Sequence, residues 1–186
     1  MPGSAADRLA RLADGYLVTQ LLHVAVALGV PDALAAGPRS APDLARELGA
    51  VPGALHRVLR GLAAEEVLEE LPGGRFALTD TGRLLCTGVP GSLCDWVAMR
   101  GGLYAGAAAG LLAAVREGGT PFEVVEGRPF FDALAADPPR LAAFRASMAD
   151  RSAREAGAVV AAYDVSGLAS VVQDRIGCES FVPSTN

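Results

Sequence analysis

The sequence predicts a mostly α-helical protein with an embedded winged helix and a small β-hairpin. Of its 186 residues, 51% are hydrophobic and only 5% are aromatic, so the core must be built from Ala, Leu and Val. Alanine favours helix because it loses almost no side-chain entropy there. Apolar residues recur at spacings of three and four along most of the chain. One stretch, around Gly73–Gly74, instead has the pattern of two paired strands.

The first helix is predicted from an N-terminal apolar repeat. From Leu17 onward this repeat is apolar on more than one face, which requires burial on several sides. An N-terminal helix has little of its own domain to pack against, so we expect a second subunit to cover it. Gly29 and Pro31 end the helix. The repeat consists of Leu9, Leu12, Tyr16, Leu17, Leu21, Val24 and Leu28.

Two helices and a hairpin follow in the order of a winged helix. After a short helix around residues 32–36, Ser40 is placed to cap a helix that runs through Leu48. Pro52 then opens a second helix, because proline fits the first helical turn. The segment around Gly73–Gly74 supplies two short strands joined by a tight turn.

After the hairpin, the chain is predicted to be helical apart from one loop and a strand-like run near its end. Residues 92–118 carry apolar side chains at helical spacing. The segment "GGTPFEVVEGRPFFDAL", residues 118–134, is interpreted as a loop with an apolar patch. After the turn signal of Asp137 and two prolines, a long helix is expected from about residue 140 to residue 162. The run "LASVV", residues 168–172, is typical of a strand.

Composition and charge argue against a nucleic-acid partner. The formal net charge is −5 and the pI is about 5.0, whereas nucleic-acid binders carry a basic face. The second helix of the predicted winged motif is also followed by four glutamates, which would repel phosphates. These are Glu65, Glu66, Glu69 and Glu70.

Neither a metal centre nor a membrane span is predicted. Cys86, Cys94 and Cys178 do not pair in a zinc-binding pattern. An odd number of cysteines fits a reducing cytosol better than a disulfide scaffold. The most apolar stretch, residues 16–30, is shorter than the ~20 residues of a membrane helix. The segment before it lacks the positive region of a secretory signal, so we expect a cytoplasmic protein without a membrane partner.

Five stretches resemble one protein family. They are "LLHVAVALGVPDAL", "LARELGAVPGALHRVLRGLA", "GRFALTDTGRLL", "GRPFFDALAADPPRLAAFRASMA" and "VVAAYDVSGLASVV", and in order and spacing the likeness covers nearly everything from Leu9 to Val172. The chain resembles the N-terminal half of the S-adenosylmethionine-dependent small-molecule O-methyltransferases of bacterial secondary metabolism and plants. The resemblance implies a helical dimerisation domain with an embedded winged helix, which supplies one wall of the substrate pocket.

The family's cofactor domain is expected to be missing from this chain. In the family, the second half is a Rossmann-type domain whose glycine-rich turn holds S-adenosylmethionine, and the catalytic base also lies there. Here Val172 is followed by "QDRIGCESFVPSTN", which has no G-x-G-x-G pattern. We therefore expect residues 1–172 to form the dimerisation domain and residues 173–186 a divergent tail. This chain is then expected to hold no cofactor, no catalytic residue and no metal.

The resemblance also implies which residues form the pocket wall. Trp96, Tyr104, Phe144, Met148 and Arg151 occupy positions that resemble the substrate-binding positions of the family. Aromatic rings and methionine suit a flat apolar ligand, such as a small aromatic or polyketide-like molecule. Considered alone, the tryptophan, phenylalanine and methionine also suit a helical core, and the arginine also suits a solvated helix face.

Three functions are compatible with these features. The first is a truncated O-methyltransferase-like protein of secondary metabolism, which forms a homodimer and a pocket wall but is not self-sufficient for methyl transfer. The second is a cofactor-independent cyclase or isomerase, which would rearrange a natural-product intermediate through orientation alone. The third is a regulatory or complementing partner of a full-length methyltransferase.

Overall fold

The structure is a computed structural model that describes residues 4–162. Its strands are β1 (Arg39–Ser40), β2 (Leu68–Leu71) and β3 (Arg75–Leu78). Its α-helices are α1 (Ala5–Leu28), α2 (Val30–Leu34), α3 (Ala41–Leu48), α4 (Pro52–Ala64), α5 (Asp80–Arg83), α6 (Cys94–Met99), α7 (Ala105–Ala108), α8 (Leu111–Glu117), α9 (Pro121–Glu126), α10 (Phe130–Ala135) and α11 (Pro138–Ala162). A π-helix, Arg100–Tyr104, joins α6 to α7. The predicted strand at 168–172 and the predicted tail at 173–186 lie outside the described residues.

Helix α1 begins at a capping box and ends at a left-handed glycine. The Ser4 hydroxyl accepts a hydrogen bond of 3.2 Å from the Asp7 amide, and the Asp7 carboxylate accepts one of 2.7 Å from the Ser4 amide. At the other end, Gly29 adopts a φ of 76°, which favours glycine. The N-terminal part of α1, residues 4–17, is exposed, so only its C-terminal half packs into the protein.

Strand β1, helices α3 and α4 and the hairpin β2–β3 follow the order expected for a winged helix. The strands are antiparallel in the order β1–β3–β2, and Phe76 of β3 lies opposite Arg39 of β1 and Glu70 of β2. Phe76 is fully buried in the core of this part. It is accompanied there by Leu34, Leu44, Leu55, Leu59, Leu62 and Leu68, together with α1 residue Ala25. The predicted fold class, mostly α with a small antiparallel hairpin, is confirmed.

Two predicted helix boundaries need correction. Helix α2 begins directly after Gly29 rather than near residue 32, because Pro31 fits its first turn. The helix predicted over residues 92–118 is interrupted between α7 and α8. Gly110 lies at this break, and a Cβ there would collide with the Pro121 carbonyl oxygen of α9. The close approach of α9 therefore requires glycine at this position.

The prediction of a loop over residues 118–134 is wrong, because the segment contains α9 and most of α10. Thr120 and Glu123 form a capping box at the start of α9, and Gly127 ends the helix at a φ of 71°. Phe122 and Leu134, one from each helix, are buried. Helices of six residues are too short to show a helical period in the sequence.

Helix α11 packs along α6 and α10 and begins at Pro138, two residues before its predicted start. It brings the C-terminal part of the described chain against the helix that carries Trp96. Within residues 4–162, no single helix is long and apolar enough to cross a membrane. Only the bent pair Cys94–Ala108 and Leu111–Glu117, which meet at 47°, satisfies that test when the two are taken together.

Candidate functional site

Three side chains on successive turns of one helix form the centre of the candidate site. Trp96, Arg100 and Tyr104 are spaced by four residues, so they share a face of the helix that runs through the π-helix. The guanidinium carbon of Arg100 lies 4.2 Å from the centroid of the Trp96 ring and 4.9 Å from that of Tyr104. Both distances fit a cation–π contact. Arg100 therefore links two of the predicted site residues.

The π-helix lies where α1 packs against this helix. Gly101 is buried and faces His23 so closely that a Cβ would collide with the histidine side chain. The Gln20 side chain donates a hydrogen bond of 2.8 Å to the Gly101 carbonyl oxygen. Short π-helical segments are frequent at functional sites. Here the segment begins at Arg100 and ends at Tyr104, so it sets the spacing between these two side chains.

An aromatic cluster connects Tyr104 to Phe144 of α11. Phe130 lies at its centre, with its ring stacked on Tyr104 at 6.2 Å and in edge contact with Phe144 at 5.4 Å, as measured between ring centroids. It also makes edge contacts with Phe122 at 5.0 Å and with Phe131 at 5.3 Å. Tyr104 and Phe144, two predicted site residues, thus belong to one cluster through Phe130, which was predicted to lie in an apolar patch but not in the site.

Helix α11 places Met148 one turn after Phe144. Met148 is half-buried. Between these two residues, Ser147 is only 1% exposed, and its hydroxyl has no hydrogen-bond partner among the described residues. The His23 Nδ1 atom on α1 is also buried and has no hydrogen-bond partner among the described residues. No signal in the sequence marked either group as an unpaired buried polar atom.

Arg151 lies further along α11 on an exposed part of the helix. Its side chain forms a hydrogen bond of 2.6 Å with the carboxylate of Glu155. This bond, followed by the Glu155 charge and a smaller contribution from Tyr104, raises the pKa of Arg151 above its usual value. Arg151 is therefore an ion-paired surface residue in the electrostatic neighbourhood of Tyr104.

A cavity of about 370 Å³ opens between α1 and the π-helix. Of the five predicted site residues, only Tyr104 lines it. The described residues that line it are Tyr16, Thr19, Gln20, Arg100, Tyr104 and Ala105. The role of Trp96, Phe144, Met148 and Arg151 as a pocket wall stays a prediction, whereas the cavity itself was not foreseen. The one signal that could have found Arg100 is its spacing of four residues from both Trp96 and Tyr104.

The arrangement offers binding chemistry rather than a metal centre. Its groups are ring faces, two phenols, a side-chain amide and a guanidinium. Among residues 4–162, no three His, Cys, Asp or Glu side chains lie together in a group that could hold a metal ion. The described glycine pair Gly73–Gly74 joins two antiparallel strands. It does not have the strand-to-helix setting in which glycine-rich turns hold adenosyl cofactors.

An apolar stripe runs along the exposed part of α1. Leu9, Leu12 and Tyr16 lie within about one face of the helix, and they are 69%, 70% and 65% exposed. Leu17 beside them is also exposed. Large apolar side chains clustered in this way mark an interaction surface. Tyr16 belongs to this stripe and also lines the cavity, so the two features are continuous.

The chain is similar to known methyltransferases over most of its length. Residues 10–88 match the family described as the O-methyltransferase dimerisation domain. The sequence is 37% identical over 169 residues to a phenazine O-methyltransferase of Lysobacter antibioticus, and the match covers 91% of this chain and 50% of that protein. The chain spans about half the length of the curated relatives it matches.

Solved structures show the same likeness. The crystal structure of LaPhzM matches with a TM-score of 0.83 and 36% identity, over 88% of this chain and 49% of that one. Human N-acetylserotonin methyltransferase in complex with SAM matches with a TM-score of 0.78 and 26% identity, over 89% of this chain and 51% of that one. These matches confirm the resemblance predicted from the sequence.

Proposed function

We propose that residues 4–162 are the dimerising, substrate-holding part of an O-methyltransferase of secondary metabolism. The premise is the match of residues 10–88 to the O-methyltransferase dimerisation domain. The acceptor we propose is a small aromatic or polyketide-like molecule. Methyl transfer requires the acceptor oxygen to be held in a defined orientation to the donor. The proposed task of these residues is to orient the acceptor and exclude water from it.

The aromatic cluster beside the cavity is the observation that carries this proposal. Tyr104 belongs to both, because it stacks on Phe130 and also lines the cavity. A cavity of about 370 Å³ lies within the range of small-molecule sites, which is roughly 300–1,000 Å³. Ring faces fixed by their neighbours provide a stacking surface for a flat ligand.

Binding of a neutral aromatic probe tests the pocket directly. We expect 1-naphthol to bind the 186-residue chain, and Tyr104→Leu to weaken it about three- to tenfold, since an aromatic pair contributes about 0.5–1.5 kcal/mol beyond its buried area. Phe131→Leu is the matched control, because Phe131 is 56% exposed and does not line the cavity. Equal affinities of wild type and Tyr104→Leu in calorimetry would contradict the assignment of Tyr104 to the pocket.

We propose that the apolar stripe of α1 pairs two copies of the chain in a homodimer. Its exposed leucines would be a liability on a monomer, and the dimerisation-domain match covers most of α1. Leu12→Glu places a carboxylate on the stripe and is expected to dissociate the dimer. Arg11→Glu places a carboxylate on the opposite side of the helix, where Arg11 is exposed, and should leave the dimer intact. Light scattering after size exclusion distinguishes a 19.0 kDa species from its dimer, and a monomeric wild type would refute the proposal.

S-adenosylmethionine is the methyl donor we propose for the complete reaction, since a structurally similar relative binds SAM. The described residues do not fit this donor: the Gly73–Gly74 turn closes a hairpin, and Gly118–Gly119, which precedes α9, follows helix α8 rather than a strand. We therefore propose that the 186-residue chain does not bind the donor by itself. Titrating the donor into the 186-residue chain by calorimetry should give no binding heat, and a measurable affinity would contradict this proposal.

The same stripe favours a second candidate, in which the chain pairs with a full-length methyltransferase as a regulatory or complementing partner. An apolar helix face that fits its own copy also fits a close relative with the same dimerisation domain. Co-expression with a differently tagged full-length relative tests this pairing. A mixed dimer that is lost with Leu12→Glu and kept with Arg11→Glu would support it, and exclusive recovery of homodimers would contradict it.

A further inference from the structure

We propose that Arg100 forms an anion subsite in the cavity between α1 and the π-helix, and that this subsite binds the carboxylate of an aromatic acid. The inference rests on the proposed substrate-holding function. It narrows the ligand from a flat aromatic molecule to one that carries an acidic group.

Arg100 is held in place by rings, and no carboxylate of the described residues neutralises it. Its guanidinium carbon lies over the rings of Trp96 and Tyr104 at 4.2 and 4.9 Å. Among the described residues it forms no ion pair, whereas Arg140 and Arg151 pair with glutamates at 3.1 and 2.6 Å. A positioned cation without an internal counter-ion is suited to an external anion.

The helix geometry leaves the binding edge of the guanidinium open. Trp96 lies one turn before Arg100 and Tyr104 one turn after it, so the two rings flank the cation along the helix. The guanidinium is planar, and its N–H donors point outward from its edge in a fork that matches the two oxygens of a carboxylate. Arg100 is exposed, so a ligand that enters the cavity can reach this edge.

The rest of the cavity favours an aromatic acid over a simple inorganic anion. Arg100 shares the cavity with Tyr16 and Tyr104. The Tyr104 ring is covered by Phe130 and Arg100, so the Tyr16 ring supplies the surface on which a flat ligand can stack while the arginine binds its acidic group. The Gln20 amide nitrogen, which also faces this region, is already bonded to the Gly101 carbonyl oxygen. Arginine is therefore the charged donor of the cavity lining, and the aromatic walls supply the selectivity for a ring.

A single label reports binding at this position. Trp96 is the only tryptophan of the chain, so incorporation of 5-fluorotryptophan gives one fluorine NMR resonance beside Arg100. The probes are 1-naphthoate and its neutral analogue 1-naphthamide, which differ in charge but hardly in shape. We expect the naphthoate to bind the wild-type chain about tenfold more tightly than the amide, as for a hydrogen bond to a charged group.

Three variants assign the preference to Arg100. In Arg100→Gln, the affinity for naphthoate should fall to the affinity for the amide. Arg100→Lys should keep only part of the difference between the two affinities, because an ammonium cannot form the bidentate pair. Arg116→Gln is the matched control: Arg116 is an exposed arginine of α8 that does not line the cavity, so the preference should persist. Thermal unfolding of each variant checks that the fold is retained.

The possible results distinguish failure of the anion subsite from failure of the aromatic pocket. If naphthoate and naphthamide bind the wild type equally well, or if Arg100→Gln keeps the preference, the anion subsite is overturned while the aromatic pocket stands. If neither probe moves the fluorine resonance, both the subsite and the proposed pocket are overturned. Displacement of naphthoate by inorganic phosphate at equal concentration would overturn the aromatic-acid assignment, since it would show a general anion site.

Discussion

Gln20 of α1 donates a hydrogen bond of 2.8 Å to the carbonyl oxygen of Gly101, in the π-helix that begins at Arg100 and ends at Tyr104. The bond joins the helix that carries the apolar stripe to the helix that carries the candidate site. Beside it, His23 fills the space that a side chain at position 101 would need. The helix of the apolar stripe and the helix of the cavity therefore share one packing contact.

The first prediction concerns this hydrogen bond. Gln20→Leu keeps much of the side-chain volume but leaves the partly buried Gly101 carbonyl without its donor, so we expect a loss of about 1 kcal/mol in the free energy of unfolding. Urea denaturation of the chain measures it. Thr19→Val is the control, because the Thr19 hydroxyl bonds only to the Gly15 carbonyl of its own helix, at 3.4 Å. Equal losses in the two variants would show that the contact between the helices contributes nothing.

The second prediction compares two glycines of the same helical stretch. Gly101→Ala would drive a methyl group into His23, so α1 must shift and the protein should lose stability. Gly106→Ala, in α7, has nothing within 4 Å of the new methyl group and should stabilise the helix by about 0.5–1 kcal/mol. Thermal unfolding of both variants gives opposite signs if the packing is as described. A stabilised Gly101→Ala variant would contradict it.

The part of the fold from α3 to the β2–β3 hairpin could be predicted because its signals are local. Ser40 caps α3, Pro52 opens α4, and Gly73–Gly74 turns the hairpin, each at the position that its chemistry requires. The segment around α9 also carried a local signal, since Thr120 and Glu123 form a capping box. It was misinterpreted because a single buried Phe122 in six residues shows no period.

The candidate site was only partly predictable because its contacts join distant parts of the chain. Tyr104 and Phe144 meet through Phe130, and no spacing rule connects a π-helix to α11. The contacts of Arg100 with Trp96 and Tyr104 are local and follow from a spacing of four residues. The cavity depends on the distance between α1 and the π-helix, which is set by Gly101 and is not visible in a periodic pattern.

The third prediction separates two neighbouring phenylalanines. Phe130→Ala removes the ring at the centre of the aromatic cluster, where it contacts four others, and should cost about 3 kcal/mol. Phe131→Ala removes a ring that is 56% exposed and should cost less than about 1 kcal/mol. Chemical denaturation gives both values. Similar losses would mean that the cluster is not organised around Phe130.

The fourth prediction is a pH dependence at the start of α3. The Ser40 hydroxyl donates a hydrogen bond of 2.6 Å to the Asp43 carboxylate and accepts one of 3.3 Å from the Asp43 amide. The bond from Ser40, with a smaller contribution from Arg46, holds the pKa of Asp43 below its usual value of 3.8. A carboxyl group whose pKa is lower in the folded state stabilises the fold above its unfolded pKa, and this stabilisation is lost as the pH falls through the folded pKa.

Ser40→Ala should therefore lower the free energy of unfolding at neutral pH by about 1 kcal/mol, because the helix cap is lost. This loss should become smaller below pH 3.8, as Asp43 becomes protonated. Thr79→Ala is the control. The Thr79 hydroxyl caps α5 by accepting from the Gly82 amide and donates to backbone carbonyls rather than to a carboxylate, so its removal should cost the same at every pH. Urea denaturation of both variants between about pH 7 and about pH 3 measures the difference from wild type. If the cost of Ser40→Ala stays constant over this range, the cap is independent of the Asp43 charge.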